Sequence, residues 1–468
     1  MQTKKRRLVR RIALSAGALS LVPAVLAVTA LRAVAQGLPR LGASVSLAEL
    51  YEHVTRGNPR TTAAQALVRA AQARVSGAKR PPDPQIQLGF MNYSLPGLSP
   101  MKPLGMAQLQ AMQMVPLGGK LALAGRVAGA QADAMSARAD DVAWELRNET
   151  AIAFYDLYAT DRQLAVVRET LRLLEDIART AESMYRVGEG RQTDVLRANV
   201  EIAKMAEDTV RMRAMRATMV SRINALLNRD AGESLESVVR PTFPDSVPPR
   251  GWLDSVAASA RPMIRAGMQQ VRAASSSAAL ARKEILPDLQ IGVQYGQRGA
   301  TMTDADGMTS RSTERMGSLM IGASVPLFAR DRQLQMRNEA DAMKAMAQAE
   351  LDATRAETRG AVGEAYADLA RARDLARLFR TTILPQAEAT VASALASYRV
   401  GNVDFMTLLD DQMAVNRYRQ SLIELEADEG KAWAQLERLT GRDLIDSGSI
   451  AVSAGSAGSN VSAQRGGQ

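Results

Sequence analysis

The side chains that usually carry out acid–base, nucleophilic or metal chemistry are scarce in this sequence. Histidine occurs once, as His53, and cysteine is absent. A hydrolytic zinc site needs several histidine, cysteine or carboxylate ligands, and thiolate catalysis needs a cysteine. Carboxylates such as Glu145, Glu149, Glu169 and Glu175 recur at helical spacing among arginines, as on a solvated, ion-paired helix face. We therefore expect no enzyme activity, no cofactor and no metal site.

Methionine, whose thioether sulfur can act as a metal ligand, occurs 23 times. Thioether sulfur binds soft ions such as Cu(I), whereas most methionines provide flexible packing. Both interpretations stay open. Eight of these methionines flank two short alternating segments described below: Met101, Met106, Met112, Met114, Met302, Met308, Met316 and Met320.

The N-terminus has the parts of a secretory signal peptide. A basic stretch at residues 4–11 precedes an apolar run at 12–30, and Ala33-Val34-Ala35 supplies the small residues that signal peptidase accepts. We predict a signal peptide at residues 1–35, with an uncleaved anchor as the alternative. Its removal takes away seven basic residues and no acidic ones, so the net charge falls from +10 to about +3. The basic charge therefore does not indicate a nucleic-acid partner.

The rest of the chain reads as two copies of one unit. Val115-Pro116-Leu117 recurs as Val325-Pro326-Leu327, and Tyr185-Arg186-Val187-Gly188 recurs as Tyr398-Arg399-Val400-Gly401, in the same order. A proline-rich stretch joins the copies, and the C-terminal composition shifts to glycine and serine. We predict a first repeat at 36–229, a linker at 230–251, a second repeat at 252–443 and a disordered tail at 444–468.

Each copy contains a predicted β-hairpin. Ile86, Leu88 and Phe90 alternate with polar or small residues, as expected of a strand with one apolar face. We place its return strand at 107–115. In the second copy, strands at 289–295 and 318–325 flank a predicted polar loop from 299 to 315.

The helical segments are unusually long. Residues 121–185 contain no proline, and 331–398 contain only Pro385, which we interpret as a kink within a continuous helix. About 65 residues at roughly 1.5 Å each give a rod of about 100 Å. Apolar residues from Leu164 to Tyr185 recur at alternating steps of three and four, as in a coiled-coil seam.

These parts favour an oligomer. No second apolar run is long enough for a membrane helix, so a membrane-spanning form would have to be a closed β-barrel. Two hairpins supply four strands per chain, and three chains would supply twelve. Strand count alone does not fix the number of chains at three. The expected fold class is mainly α with a small β part: duplicated long coiled-coil helices plus two hairpins per chain that complete a closed β-barrel in an oligomer. A periplasmic coiled-coil scaffold without a pore is the alternative.

From about Ser46 to Asp443 the sequence resembles the TolC-like outer membrane efflux protein family. The resemblance rests on the duplicated order of elements, on Val-Pro-Leu after each second strand and on Tyr-x-Val-Gly at both helix ends. It implies a homotrimer in which two hairpins per chain complete a 12-stranded β-barrel in the lipid of the outer membrane and the duplicated long helices form a periplasmic coiled-coil barrel. It also implies a periplasmic membrane-fusion adaptor and an inner-membrane transporter as partners, in a tripartite efflux pump or a type I secretion system. The substrate stays open among drugs, other small toxic molecules, metal ions and polypeptides.

The resemblance assigns adaptor docking to the turns that join the long helices at the periplasmic end. The matching residues are Tyr185, Val187, Gly188, Tyr398, Val400 and Gly401. Plain helix-ending glycines with a packed tyrosine are the simpler interpretation, and both can hold together.

Carboxylates near these turns could form a cation-attracting constriction in a trimer. The candidates are Asp194, Asp404, Asp410 and Asp411. The alternative is helix N-capping by Asp194 and Asp404, with the other two on solvated faces. Some relatives have a basic residue near the second turn where this chain has Val403, so the resemblance does not carry an interlocked gate over to this chain.

Overall fold

The computed structural model describes residues 45–94, 96–97, 99–101, 105–303, 306–329 and 331–445. The predicted signal peptide lies outside these residues, as does the predicted tail from residue 446 onward. The repeat and linker boundaries stay predictions.

The first half of the chain places two short helices and a hairpin before a long helical hairpin. Helices α1 (Leu47–Gly57) and α2 (Pro59–Ala78) precede strands β1 (Gln85–Met91), β2 (Tyr93–Ser94), β3 (Ser99–Pro100) and β4 (Met106–Val115). Helices α3 (Lys120–Arg186) and α4 (Gln192–Leu226) follow. A capping box at Ser46 and Glu49 begins α1, because each side chain accepts a hydrogen bond from the other residue's backbone N–H.

The second half repeats this order. Helices α5 (Arg250–Ala260) and α6 (Pro262–Lys283) precede strands β5 (Asp288–Thr303) and β6 (Thr309–Ser324). Helix α7 (Gln333–Leu378), a π-helical turn (Phe379–Ile383) and helix α8 (Leu384–Arg399) then run without a break, and α9 (Phe405–Thr440) returns. The wider turn lies directly before Pro385, which lacks an N–H and would crowd a regular α-helical turn.

The predicted long rods are confirmed. Helix α3 has 67 residues, which at about 1.5 Å per residue gives a length of about 100 Å. Its predicted seam is buried at Leu164, Val167, Leu174 and Ala181 against the helices that pack on it. A helix of this length cannot fold back on itself, so its buried stripe has to be covered by neighbouring helices.

The two hairpins join in one antiparallel sheet. Its strand order is β1-β4-β5-β6, and the central β4–β5 pairing links the two halves of the chain, with Leu109 opposite Tyr295. Strands β1 and β6 are the two edges of this sheet. The expected fold class, mainly helical with two hairpins per chain, is confirmed.

The prediction of a polar loop at 299–315 was wrong over most of that length. Strand β5 continues to Thr303 and β6 begins at Thr309, and the two residues are paired across the hairpin. Backbone hydrogen bonds hold strands together whatever the side chains are, so a polar sequence can extend a hairpin. An ion pair between Arg298 and Glu314, 2.7 Å apart, bridges the two strands at this level.

A buried cation connects the sheet with the long helix. Lys120 is the first residue of α3 and is 6% exposed. Its Nζ donates to the Leu286 carbonyl at 3.0 Å and to Asp288 Oδ1 at 2.8 Å, and lies 3.4 Å from Glu284 Oε2. All three acceptors belong to the second half of the chain. Lys120 therefore fixes the start of α3 against the start of β5.

Within the residues that the structure describes, no helix combines enough length with enough apolar character to cross a membrane.

Candidate functional site

The candidate site lies where the long helices reverse direction. We name these turns the first tip (residues 185–191) and the second tip (residues 398–404). Gly188 and Gly401 have φ angles of 81° and 74°, in the left-handed region that side chains disfavour. The Gly188 N–H donates to the Tyr185 carbonyl at 3.1 Å, and the Gly401 N–H to the Tyr398 carbonyl at 3.0 Å. The repeated motif therefore builds the same helix-ending turn twice.

Both tips present an apolar side chain to solvent. Val187 is 68% exposed and Val400 is 70% exposed, each directly before its glycine. Leu196 and Val200, in the first turns of α4, are also more than half exposed. Such exposed apolar groups at the end of a helical hairpin offer area that a partner could bury.

The two tip tyrosines lie in different surroundings although their motifs match. Tyr398 is 6% exposed, and its ring meets the Phe405 ring edge to face with centroids 5.6 Å apart. Tyr185 is 46% exposed. Phe405, the first residue of α9, supplies the aromatic neighbour of Tyr398. The first residue of α4, after the first tip, is Gln192, which has no aromatic ring. Tyr185 therefore contributes surface, and Tyr398 belongs to the packed core between the helices.

The hydroxyl of Tyr398 is affected by carboxylates near both tips. Burial raises the pKa of its hydroxyl, and the nearby carboxylates of Asp194 and Asp404 raise it further. Asp194 follows the first tip, and Asp404 belongs to the second. Within the described residues, the buried Tyr398 hydroxyl has no hydrogen-bond partner. Tyr398 therefore stays neutral and contributes no charge to this end of the helices.

Asp194 and Asp404 lie next to the tips, whereas Asp410 and Asp411 lie further along α9. Asp404 is the N-cap of α9 and accepts a hydrogen bond from the Met406 N–H at 3.2 Å, which confirms the capping interpretation for this residue. Asp194 is not an N-cap, because Arg191 holds that position in α4. Asp410 lies about 9 Å further along α9 than Asp404, at roughly 1.5 Å per residue. Asp410 and Asp411 point about 100° apart around the helix, so they cannot both point directly at a central axis.

A polar seam joins α3 to α9 above the tips. Arg419 on α9 contacts Glu169 on α3 at 2.9 Å and Glu388 on α8 at 2.6 Å. Further along the same seam, Lys431 pairs with Asp156 at 2.6 Å. The partners are about 30 to 275 residues apart in sequence, so no local pattern could have identified them. Sequence reasoning missed Arg419, which contacts carboxylates of two other helices.

Comparison with known proteins gives one family and one fold. The family model for "Outer membrane efflux protein" matches residues 50–229 and 253–442. A search of curated proteins gives no match.

Several solved structures share the fold at low sequence identity. A CusC structure has a TM-score of 0.72 and 16% identity, and the match covers 87% of this chain and 96% of CusC. The VceC outer membrane protein of Vibrio cholerae has a TM-score of 0.71 and 17% identity, with coverages of 85% and 96%. The MtrE outer membrane channel of Neisseria gonorrhoeae, in its open state, has a TM-score of 0.69 and 14% identity, with coverages of 85% and 89%.

Proposed function

This chain belongs to the outer membrane efflux protein family and is an outer-membrane exit duct of an efflux system, and we propose that it works as a homotrimer. The machine would be a tripartite efflux pump or a type I secretion system, in which an inner-membrane transporter supplies the energy. The long helices extend into the periplasm. Substrate passes through the duct without chemical change.

The observation that carries the trimer is an open sheet with an apolar face. Ile86, Leu88, Leu319 and Ile321 are each at least 67% exposed, and all lie on the same side of the sheet. Strands β1 and β6 leave unpaired N–H and C=O groups at the edges. In lipid these groups have no water to bond, so β6 of one copy has to pair with β1 of the next. Three copies close a barrel of twelve strands, within the range of outer-membrane barrels.

The helical part supports the same assembly. Helix α4 packs against α3, and its remaining surface carries Leu196, Val200 and Val210, each more than half exposed. A neighbouring copy would cover part of this surface, and the adaptor would cover the tips. Burial of apolar area of this kind is the main driving force of most protein association.

The first experiment is extraction from the cell envelope, followed by mass determination and electrical recording. We expect the protein to need detergent, to have three times the mass of the mature chain by light scattering, and to conduct ions in a planar bilayer. A water-soluble monomer or dimer without conductance would overturn the duct and leave a non-pore periplasmic coiled-coil scaffold.

Adaptor docking is tested by charging the exposed tip residues. We expect Val187→Asp combined with Val400→Asp to abolish co-purification of the adaptor and to reduce export by at least tenfold. The reason is that docking would bury carboxylates in an apolar contact. Photo-crosslinking from position 187 measures the contact directly.

The matched control is Val239→Asp, at a residue 58% exposed in the segment between the two halves. It adds a charge away from both tips and is expected to leave adaptor binding unchanged. Conductance of the purified tip variant should equal that of the wild type. Full adaptor binding by the tip variant would refute docking at these residues.

The constriction is tested at Asp410, an exposed carboxylate on α9. A trimer would place three copies of Asp410 around one axis, and removing three charges from a narrow passage weakens its attraction for cations. We expect Asp410→Asn to lower the cation-to-anion permeability ratio, measured from the reversal potential in a KCl gradient. Asp374→Asn, which removes an exposed carboxylate of α7, is the control and should not change it. An unchanged ratio in Asp410→Asn would exclude this residue from the constriction.

A further inference from the structure

The two faces of the sheet carry different kinds of apolar side chain. One face has the branched and aromatic residues, such as Leu88, Val293 and Ile321. The register places the methionines of the paired segments 85–91, 106–115, 289–298 and 314–323 on the opposite face: Met91, Met106, Met112, Met114, Met316 and Met320. We call this opposite face the thioether face. If methionine were only a substitute for leucine, nothing would confine it to one side.

Glycines on β5 create room on the thioether face. Met112 on β4 and Met320 on β6 are both paired with Gly292, which lies between them. A Cβ atom placed on Gly292 would lie 3.2 Å from Met112 Cγ and 3.4 Å from Met320 Cε. Two side chains from different strands therefore converge over a residue that has no side chain of its own.

A second glycine of β5, Gly296, is approached by one methionine, because its partner on β4 is Gln108 and Met106 is paired with Arg298. Gly296 is paired with Met316 on β6, and a Cβ atom placed there would lie 2.8 Å from Met106 Sδ. The sulfur of Met106 thus fills the space that a side chain at position 296 would need. Two methionines therefore converge at Gly292, whereas Met106 alone approaches Gly296.

The groups between these positions are neutral. Gln294 lies between the two glycines and donates to Gln108 Oε1 at 2.5 Å. Arg298 and Glu314, at the end of these rows, are paired with each other at 2.7 Å. Hard cations prefer carboxylate and carbonyl oxygen, whereas thioethers select soft ions such as Cu(I). The chemistry of this face therefore suits a soft monovalent cation.

We propose that Met112 and Met320 of each chain form a thioether site for a soft monovalent cation, Cu(I) or Ag(I). Its role in transport rests on the proposed function, because the thioether face lines the duct only if the apolar face meets lipid. A trimer would then offer soft ions three copies of this weak site around the exit path. Weak, repeated sites allow an ion both to enter and to leave.

The test uses silver nitrate in chloride-free buffer with the purified full-length protein in detergent. We expect equilibrium dialysis to detect Ag(I) binding by the wild type, and Met112→Leu with Met320→Leu to weaken it at least tenfold. Leucine has a similar volume, so packing is largely retained. Each single variant should also weaken binding. Met308→Leu, at a residue 75% exposed in the β5–β6 turn, is the control and should bind like the wild type.

Conductance separates failure of the site from failure of the duct. In potassium nitrate the wild type should conduct, and micromolar Ag(I) should reduce the current in the wild type but not in the double variant. Absence of current without silver would refute the duct, while the dialysis result would still decide the site. A wild type that binds no Ag(I), or Met112 and Met320 variants that bind as tightly as wild type, would overturn the thioether site.

Discussion

The substitution Ile321→Arg is expected to abolish assembly of the protein in the outer membrane. Ile321 is 71% exposed in the single chain and lies on the apolar face of edge strand β6. An arginine facing lipid in a membrane β-barrel costs about 2–4 kcal/mol at mid-depth, and a trimer bears this cost in each copy. We expect little or no detergent-extractable trimer in the outer-membrane fraction, measured by electrophoresis without boiling.

The matched variant is Ser318→Arg, on the same strand but on the thioether face. An arginine that faces water inside a barrel changes ion selectivity rather than stability. Ser318→Arg should therefore give normal amounts of trimer with a lower preference for cations. If Ser318→Arg failed to assemble and Ile321→Arg assembled normally, the assignment of the two faces would be reversed.

The substitution Gly430→Ala, which adds a single methyl group, is expected to destabilise the helical part. Gly430 on α9 lies directly against the ring of Tyr155 on α3, and an added Cβ would overlap the ring atoms Cε1 and Cζ. Tyr155 is fully buried, and its ring contacts the rings of Phe154 and Phe243, with centroids 5.3 and 6.1 Å away. Overpacking of this kind usually costs about 1–3 kcal/mol. We expect Gly430→Ala to lower the thermal unfolding temperature, followed by far-ultraviolet circular dichroism in detergent.

The same substitution at Gly360 provides the control. Gly360 lies within α7, and an added Cβ would have no atom within 4 Å among the described residues. Alanine favours a helix over glycine by about 1 kcal/mol, so Gly360→Ala should be neutral or stabilising. Combining Gly430→Ala with Tyr155→Leu should restore part of the loss, because the two positions share one contact. Equal unfolding temperatures for the two glycine variants would contradict the contact.

The tips illustrate what sequence could and could not predict about the candidate site. Tyr-x-Val-Gly specifies the turn, because glycine in the left-handed region ends a helix through local backbone geometry. The motif did not reveal that Tyr398 is buried and Tyr185 exposed, since that difference depends on Phe405. The assignments to docking and constriction stay proposals for the experiments above.

The sequence by itself determined the elements of this protein and their duplicated order. Alternation at Ile86, Leu88 and Phe90 and the spacing from Leu164 to Ala181 are local patterns. The period of a strand or a helix is visible within a short stretch of sequence. Only the tertiary structure decided which elements meet. The pairing of β4 with β5, the convergence of Met112 and Met320 over Gly292 and the contacts of Arg419 join residues far apart in sequence. Such contacts depend on how whole elements pack, and no local period records them.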